Sequence, residues 1–417
     1  MEYVHSVKLD NELCKGCTTC VKRCPTEAIR VRDKKAVIIK ERCVDCGECI
    51  RVCPQNAKKA VVDSLEVLKN YEYTIALPAP SLYGQFKDIN NRDPVLTALK
   101  LIGFDDVFEV SAASEAISAM THMELQSSRI PRPIISTACP AVLRIIRVRF
   151  PSLIPNLLDY HSPMQLAARW GRRLAMNKTG LPSESIGCIF ISPCPAKATS
   201  VRNPLPADKS SVDAIVSIAD VYPKLITAIR KVDTPENLAQ SSAIGVGWAI
   251  SGGEGEASME PNHLAASGVE NTIRILEALE DDKLVNVDLI ELNSCVAGCV
   301  GGVLTVENPF IAKARLASLM RHIGPVLPTD GCPVNDMRWE QSITFEPVLS
   351  LDADLGEAME KLERIRELQE RLSGMDCGAC GAPSCQALAS DIVLGHASED
   401  QCIFVVREQL QQLLDNQ

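Results

Sequence analysis

The 417-residue chain is poor in aromatic residues, at 4 %, and has no run of 18 uninterrupted apolar residues. Aliphatic side chains must therefore build most of the core, and no membrane-spanning helix is expected. The net charge of −10 argues against nucleic acid as the main partner, because phosphate binding needs clustered lysine and arginine. The sequence starts without an apolar export segment, so a cytoplasmic location is expected.

Cysteine, in contrast, is abundant, with 18 residues. Cytoplasmic thiols stay reduced, so this number indicates metal binding or catalysis before disulfides. Sixteen of them form four sets of four, the number that one 4Fe–4S cubane needs. The sets are Cys14, Cys17, Cys20 and Cys24; Cys43, Cys46, Cys49 and Cys53; Cys139, Cys194, Cys295 and Cys299; and Cys377, Cys380, Cys385 and Cys402. Of the other two, Cys188 is expected to be a buried small hydrophobe and Cys332 has no assigned role.

The first two sets are an internal repeat within residues 1–60. Each set reads C-x2-C-x2-C-x3-C-P, the spacing of bacterial ferredoxins with two 4Fe–4S clusters, in which the fourth cysteine reaches across to the other cluster. Two structural zinc sites are the alternative, but zinc would need only C-x2-C pairs. We therefore predict two ligand sets: Cys14, Cys17, Cys20 and Cys53 for one cluster, and Cys43, Cys46, Cys49 and Cys24 for its neighbour.

The last set lies in residues 373–417 and reads C-x2-C-x4-C-x16-C, with a helix expected between its third and fourth cysteines. It resembles a small 4Fe–4S domain appended to bacterial redox and sensor proteins, and a zinc site is the alternative. Residues 355–372 are predicted to form a separate amphipathic helix. This helix is expected either to connect domains while packing on the main domain, or to act as a lever or dimerising helix.

Residues 73–350 alternate short apolar strands with helices, which favours an α/β domain, and residues 61–72 link it to the preceding module. The predicted strands are Tyr73–Leu77, Ile134–Ser136, Cys188–Ile191, Ala214–Ser217 and Leu289–Leu292. The predicted helices span residues 93–102, 114–126, 163–177 and 264–280, and surface loops are expected at 204–207 and 325–330. Cys139 and Cys194 follow strands, where ligand crevices of α/β sheets lie. The C-x3-C of Cys295 and Cys299 suggests a helical turn with both thiolates on one side.

The segments around these middle cysteines resemble the three signature motifs of the FeFe hydrogenases, written TSCCPxW, PCxxKxxE and CxxGCxxGG. Ala79-Pro80-Ser81 and Gly252-Gly253 resemble two further short family segments. The resemblance covers nearly the whole chain. It implies an α/β H-cluster domain of two lobes around a buried active site, with a ferredoxin-like 2x 4Fe–4S domain before it and a small helical 4Fe–4S domain after it.

The resemblance also implies cofactors and partners. Cys139, Cys194, Cys295 and Cys299 would hold a cubane, and Cys299 would bridge to a diiron unit carrying CO, cyanide and azadithiolate. Together these form the H-cluster, served by three accessory 4Fe–4S clusters. Lys197 would donate to a cyanide, since an ammonium suits an anionic diatomic in a dry pocket. Pro80 and Ser81 would lie beside the active site. The implied partners are H2, protons and an electron-transfer protein such as a ferredoxin, or a signalling partner.

Several positions depart from the family pattern. Ala138 stands where the family has a proton-relaying cysteine, and alanine can neither give nor take a proton. Ser192 and Asn293 replace frequent methionines, and Ser200 replaces an acidic residue. Three further titratable residues could form a slower proton path, or could be solvated charges on a helix face: Glu115, His122 and Glu124.

These substitutions, together with the C-terminal cluster, are typical of the sensory branch of the family. The sequence therefore predicts slow, reversible conversion of 2 H+ and 2 e− to H2, used for sensing H2 or redox state. A metabolic ferredoxin-linked hydrogenase and a non-catalytic hydrogenase-like iron–sulfur protein are the alternatives.

Restoring the missing thiol tests this interpretation. Ala138→Cys should raise H2 turnover of the diiron-matured protein by about 10²-fold or more, because a positioned proton donor contributes that much. H2 evolution from a reduced dye, measured beside the unmodified protein, checks it. Unchanged or lower activity would count against the missing relay as the cause of slow turnover.

Overall fold

The computed structural model describes residues 5–324 and 336–415 of the chain. The loop predicted at 325–330 and Cys332 lie outside the described residues. Within the described part, no helix is both long and apolar enough to cross a membrane.

The N-terminal module is built from two small antiparallel sheets and two short helices. Its strands are β1 (Val7–Leu9), β2 (Ile29–Arg32), β3 (Lys35–Ile38) and β4 (Lys58–Ala60), and its helices are α1 (Thr19–Lys22) and α2 (Glu48–Arg51). Strand β1 pairs with β4, and β2 forms a hairpin with β3. Each half of the cysteine repeat therefore contributes one short helix. A 3-10 helix over Leu65–Asn70 lies in the predicted linker.

The central domain contains two parallel sheets, which confirms the predicted α/β class. One sheet has the order β6-β5-β8-β9 and the other β10-β11-β7. The strands are β5 (Tyr73–Pro78), β6 (Asp106–Val107), β7 (Ile134–Ile135), β8 (Ile186–Ser192), β9 (Ala214–Ser217), β10 (His263–Ser267) and β11 (Leu289–Asn293). Strand β8 is buried at all seven positions, as expected of a parallel strand covered on both faces.

Helices cover these sheets and complete the cores. They are α3 (Asp93–Leu101), α4 (Val110–Leu125), α5 (Pro140–Arg149), α6 (Pro163–Thr179), α7 (Pro195–Arg202), α8 (Ile218–Ile229), α9 (Ala243–Gly247), α10 (Gly253–Ala257), α11 (Val269–Glu280) and α12 (Pro309–Met320). Helices α5, α6 and α7 begin with proline, whose fixed φ suits the first helical turn. Most of the buried hydrophobic side chains are aliphatic, as the shortage of aromatic residues implies.

Two local predictions are wrong. Residues 264–267 belong to strand β10, because they pair with β11, and Gly268 with its φ of +89° separates them from helix α11. Pairing with a neighbouring strand has overridden the helix preference of Leu264-Ala-Ala. Cys295 and Cys299 do not share a helical turn either, because Ala297 and Gly298 between them have positive φ values of +66° and +93°, and a 3-10 helix begins only at Cys299.

The C-terminal part contains α13 (Leu355–Arg371), α14 (Cys385–Val393) and α15 (Ile403–Asp415). Helix α13 matches the predicted amphipathic helix, but its packing differs from the expectation. Its buried residues, Ile365 and Leu368, join a core formed by the C-terminal cysteine segment and not by the central domain. The helix predicted between Cys385 and Cys402 ends at Val393, and a 3-10 turn over Glu399–Gln401 precedes Cys402. Cys188 is fully buried in β8, as expected.

Candidate metal and catalytic centre

A cavity of about 600 Å³ opens where the carboxyl ends of both parallel sheets meet. Strands β5 and β8 of one sheet and β7 and β11 of the other end at it, so four loops contribute its walls. Ligand sites of parallel sheets occur at such ends. The lining residues used below are Pro80, Ala138, Cys139, Lys197, Glu254, Glu291, Asn293 and Cys299.

The four middle cysteines, scattered over 160 residues of sequence (139 to 299), come together beside this cavity. Cys139 and Cys299 line it, while Cys194 and Cys295 lie close enough to both that their charges interact. Burial raises the pKa of Cys194 and Cys295, and it raises that of Cys299 to about 12 despite the nearby Lys197 ammonium. Four converging thiols of this kind become thiolates only when a metal compensates their charge. The donor set therefore fits a cubane.

Lys197 extends from α7 into the same cavity and is only 9 % exposed. Among the described residues, the only hydrogen bond of its ammonium group is a long one of 3.4 Å from Nζ to the Ala138 carbonyl oxygen. The ammonium also lies 5.8 Å from the centre of the Phe190 ring. A buried cation without a hydrogen-bonded anion is costly. An anionic ligand in the cavity, such as a cyanide of the diiron unit, would supply the missing partner.

The other predicted site residues are distributed around this cavity. Pro80, Ala138 and Asn293 line it, and Ala138 presents only a methyl group. Ser192 acts next to a cysteine: its hydroxyl donates to the Cys194 carbonyl (2.9 Å) and accepts from the Cys194 N–H (3.2 Å). Ser81 is completely buried, and its hydroxyl has no hydrogen-bond partner within the described residues.

A pair of buried glutamates that the sequence reasoning missed also lines the cavity. Glu254 lies at the start of α10 and Glu291 in β11, and they are 4 % and 3 % exposed. Burial and the neighbouring carboxylate raise the pKa of Glu254 to about 8. Two adjacent buried carboxylates cannot both ionise, so the pair shares a proton near neutral pH.

The hydrogen bonds indicate which glutamate holds that proton. Glu291 accepts from three backbone N–H groups, those of Gly252, Glu254 and Gly255, and from the Asn293 amide, at 2.8–3.1 Å. These donors favour its ionised form. Within the described residues, the Glu254 carboxyl group accepts only from the Ser136 hydroxyl (2.6 Å), which itself accepts from the Ala138 N–H. The proton therefore belongs on Glu254. The only feature of this pair visible in the sequence was the Gly252-Gly253 step. Backbone N–H groups at and after this step bind the carboxylate of Glu291, which lies on a strand distant in sequence.

The three helix residues considered for a proton path are engaged with other groups, and Glu124 alone among them is buried. Glu115 accepts from the Ser242 and Gly245 N–H groups, and so caps α9. Glu124 is buried, and ion pairs and hydrogen bonds with groups including Arg129 lower its pKa to about 2, so it stays ionised. His122 contacts the Ser258 carbonyl and the Gln126 side chain.

The ferredoxin-type cysteines group as the spacing predicts. One cavity of about 350 Å³ is lined by all four of Cys14, Cys17, Cys20 and Cys53. Cys24, Cys43, Cys46 and Cys49 form the second group, since the charges of Cys24 and Cys49 both act on Cys43 and Cys46. The fourth cysteine of each repeat thus lies with the other repeat's group. Both groups fit cubanes, although their ligand roles remain predictions.

The second group adjoins the central cavity. The charge of Cys295 acts on Cys46, and a Cβ on Gly47 would lie 2.6 Å from a methyl group of Val303 and 3.3 Å from Pro195. Arg51 donates to the Gly301 carbonyl at 2.6 Å. The structure thus brings the second ferredoxin-type group next to the middle cysteines.

The last four cysteines also converge. Burial and the nearby Cys377 and Cys402 raise the pKa of the Cys380 thiol. Cys385 and Cys402 are buried in the same small core. Gly378 and Gly381 have φ values of +76° and +81°, which let the backbone turn around this group.

Fold and cysteine geometry define an α/β protein with four groups of cysteines suited to iron–sulfur clusters. Residues 72–303, more than half of the chain, match the family described as iron only hydrogenase large subunit, C-terminal domain. Residues 6–54 match a 4Fe-4S dicluster domain, and residues 372–404 match a small Fe-S cluster family. The chain belongs to the iron-only, or FeFe, hydrogenase family, with a ferredoxin-type module at its N-terminal side.

Individual relatives are distant. The NADP-reducing hydrogenase subunit HndD of Solidesulfovibrio fructosivorans is 22 % identical over 48 % of this chain and 32 % of its own length. The periplasmic [Fe] hydrogenase large subunit of Nitratidesulfovibrio vulgaris is 27 % identical over 46 % of this chain and 51 % of its own length. The cytosolic Fe-S cluster assembly factor nar1 of Emericella nidulans is 30 % identical over 22 % of this chain and 16 % of its own length. The chain thus spans about half or less of the length of these curated relatives.

A solved FeFe hydrogenase structure, from work on oxygen inactivation of the H cluster, aligns with a TM-score of 0.50 and 15 % identity. The alignment covers 66 % of the present chain and 95 % of the solved hydrogenase chain. This likeness concerns the fold alone.

The buried ammonium generates a prediction about cofactor retention. Lys197→Gln should weaken binding of the diiron unit while leaving the cubanes in place, because it removes the cation and no cysteine. Infrared spectra in the CO and cyanide region, normalised to iron content, measure this. Lys231→Gln, at an exposed position, is the matched control. Full retention of the CO and cyanide bands in Lys197→Gln would contradict the assignment.

Proposed function

We propose that this protein is an iron–sulfur oxidoreductase that interconverts 2 H+ plus 2 e− and H2 slowly, as a cytoplasmic sensor of H2 or redox state. The observation that carries the proposal is the buried Lys197, placed without an anionic hydrogen-bond partner of the described chain in a cavity bordered by cysteines. An anionic ligand of a diiron unit would give this cation the hydrogen-bonded partner that it lacks among the described residues. Membership of the family supports the same chemistry.

The proposed ligands are the four cysteine groups described above. Cys139, Cys194, Cys295 and Cys299 would hold the H-cluster cubane, with Cys299 bridging to the diiron unit. The ferredoxin-type groups and the C-terminal group would hold three accessory 4Fe–4S clusters. Electrons would pass from the second ferredoxin-type group into the central cubane, because Gly47, next to Cys46, lies against Pro195, which follows Cys194. A ferredoxin or a signalling protein would exchange electrons with the accessory clusters.

The bound diiron unit would supply the centre at which protons and electrons combine. The chain's residues would hold and move the charges around it. Lys197 would fix an anionic ligand of the unit through its ammonium. Glu254 would hold a proton at a carboxyl oxygen facing the cavity, where Ala138 cannot. A carboxyl group that gives up its proton near neutral pH is suited to general acid and base catalysis.

A non-catalytic role in iron–sulfur assembly is the second candidate. The partial similarity to nar1 and the alanine at position 138 favour it. A metabolic hydrogenase is a third reading, which high H2 turnover by the unmodified protein would favour.

Metal content and infrared spectroscopy separate these functions. Four cubanes contribute about 16 irons per chain, and a diiron unit adds about two more. After maturation with the diiron cofactor, we expect CO and cyanide bands together with slow H2 production. Protein that keeps its cubanes but shows no such bands would favour the assembly role and would sink the catalytic proposal.

Glu254→Gln tests the proton path. The amide keeps the shape of the side chain but cannot release a proton at neutral pH, so H2 production should fall by about 10²- to 10⁴-fold. The native protein should also lose activity above about pH 8, where Glu254 loses its proton, and the variant should lack this step. Activity is measured against pH.

Glu256→Gln is the matched control, because Glu256 is exposed on the same short helix. Infrared bands must stay unchanged in both variants, so that loss of the cofactor is not mistaken for loss of a proton path. An unaltered rate and pH profile in Glu254→Gln would remove this residue from the path.

A further inference from the structure

The C-terminal cysteine domain docks on the ferredoxin-type module through strand β2. The Val31 N–H donates to the Gly381 carbonyl at 2.8 Å, and Arg32 donates through Nη1 to the Cys380 carbonyl at 3.2 Å. Both acceptors lie in the loop that begins at Cys377. Val31 also lines the cavity shared by Cys14, Cys17, Cys20 and Cys53. One residue therefore separates the C-terminal cysteine loop from the first ferredoxin-type cluster site.

Buried ion pairs hold this contact. Asp391 on α14 accepts from Arg30 at Nε (2.6 Å) and Nη2 (3.1 Å), and from Arg32 Nη2 at 2.7 Å. The Arg30 and Asp391 side chains are only 4 % and 7 % exposed. Removing one member of a buried pair leaves an uncompensated charge, so the interface is sensitive to substitution of either partner. Its geometry is that of a fixed contact between domains.

Two further contacts bring the loop close to the module. Lys22, on the same helix as Cys20, donates to the Pro383 carbonyl at 3.0 Å and to the Asp376 carbonyl. A Cβ on Gly381 would lie 2.1 Å from the Val31 carbonyl oxygen, so no other residue fits at this approach. Gly395, in the same domain and with a similar φ of +75°, has nothing within 4 Å.

We propose that the C-terminal cluster exchanges electrons with the cluster of Cys14, Cys17, Cys20 and Cys53, as the outermost member of one chain of four cubanes. In each step one electron leaves the reduced cluster of one group and reduces the oxidised cluster of the other, with no bond made or broken. The C-terminal cluster is thereby linked to the H2 site through both ferredoxin-type clusters and not directly. This inference rests on the proposed cluster ligands but not on H2 turnover.

Electron paramagnetic resonance of the reduced full-length protein tests the pairing. The C-terminal cluster should show magnetic coupling that disappears in Cys20→Ser and persists in Cys295→Ser. Coupling that persists in Cys20→Ser and disappears in Cys295→Ser would overturn the proposal, since it would place the partner in the central domain. A C-terminal site that holds zinc or no metal would overturn it as well.

Variants of the interface test the docking without removing a ligand. Gly381→Ala and Asp391→Asn should weaken the coupling severalfold, at unchanged iron content. Gly395→Ala is the control for Gly381→Ala, because it also places alanine at a positive φ but makes no close contact with the ferredoxin-type module. Glu408→Gln is the control for Asp391→Asn, because it removes an exposed charge elsewhere in the domain. Both controls should keep the coupling. Coupling that survives both interface variants would overturn the docking route, whereas infrared bands and H2 production report independently on the proposed function.

Discussion

The burial of charge at the meeting edge of two parallel sheets is the constraint on which the rest of the structure depends. Four thiols, one ammonium and two carboxyl groups converge there from strands and helices that are distant in sequence. A cavity of this kind is stable only when its charges compensate one another or are compensated by a ligand. Glu291 is balanced by backbone N–H groups, Glu254 by a proton, and the cysteines and Lys197 by the proposed cofactor.

This balance gives a physical meaning to the departures from the family pattern. With alanine at position 138, the cavity wall beside Cys139 cannot exchange protons. Asn293, which replaces a methionine, has a specific hydrogen bond: its amide donates to Glu291 and helps to keep that carboxylate ionised. The ionised Glu291 in turn keeps the shared proton on Glu254. The substituted residues and the buried glutamates thus form one hydrogen-bonded arrangement.

The cysteine modules are joined to this centre by a few polar contacts that pass through buried groups. Asp45, next to the second ferredoxin-type group, accepts from Thr199 at 2.8 Å, and Thr199 lies on the helix that carries Lys197. Asp391 binds the C-terminal domain to strand β2 of the ferredoxin-type module. The ferredoxin-type module therefore contacts both other domains through buried groups.

The sequence by itself determined the cysteine grouping, the α/β class and the strands β5, β8, β9 and β11, because local spacing and apolar runs specify them. It also identified Ala138 as the unusual position. Only the tertiary structure decided that residues 264–267 form a strand, since pairing with β11 outweighs their helix preference. The same holds for α13, whose apolar stripe could not reveal which core it joins. Glu254 and Glu291 escaped notice because their chemistry arises from proximity and burial, and 37 residues of chain separate them.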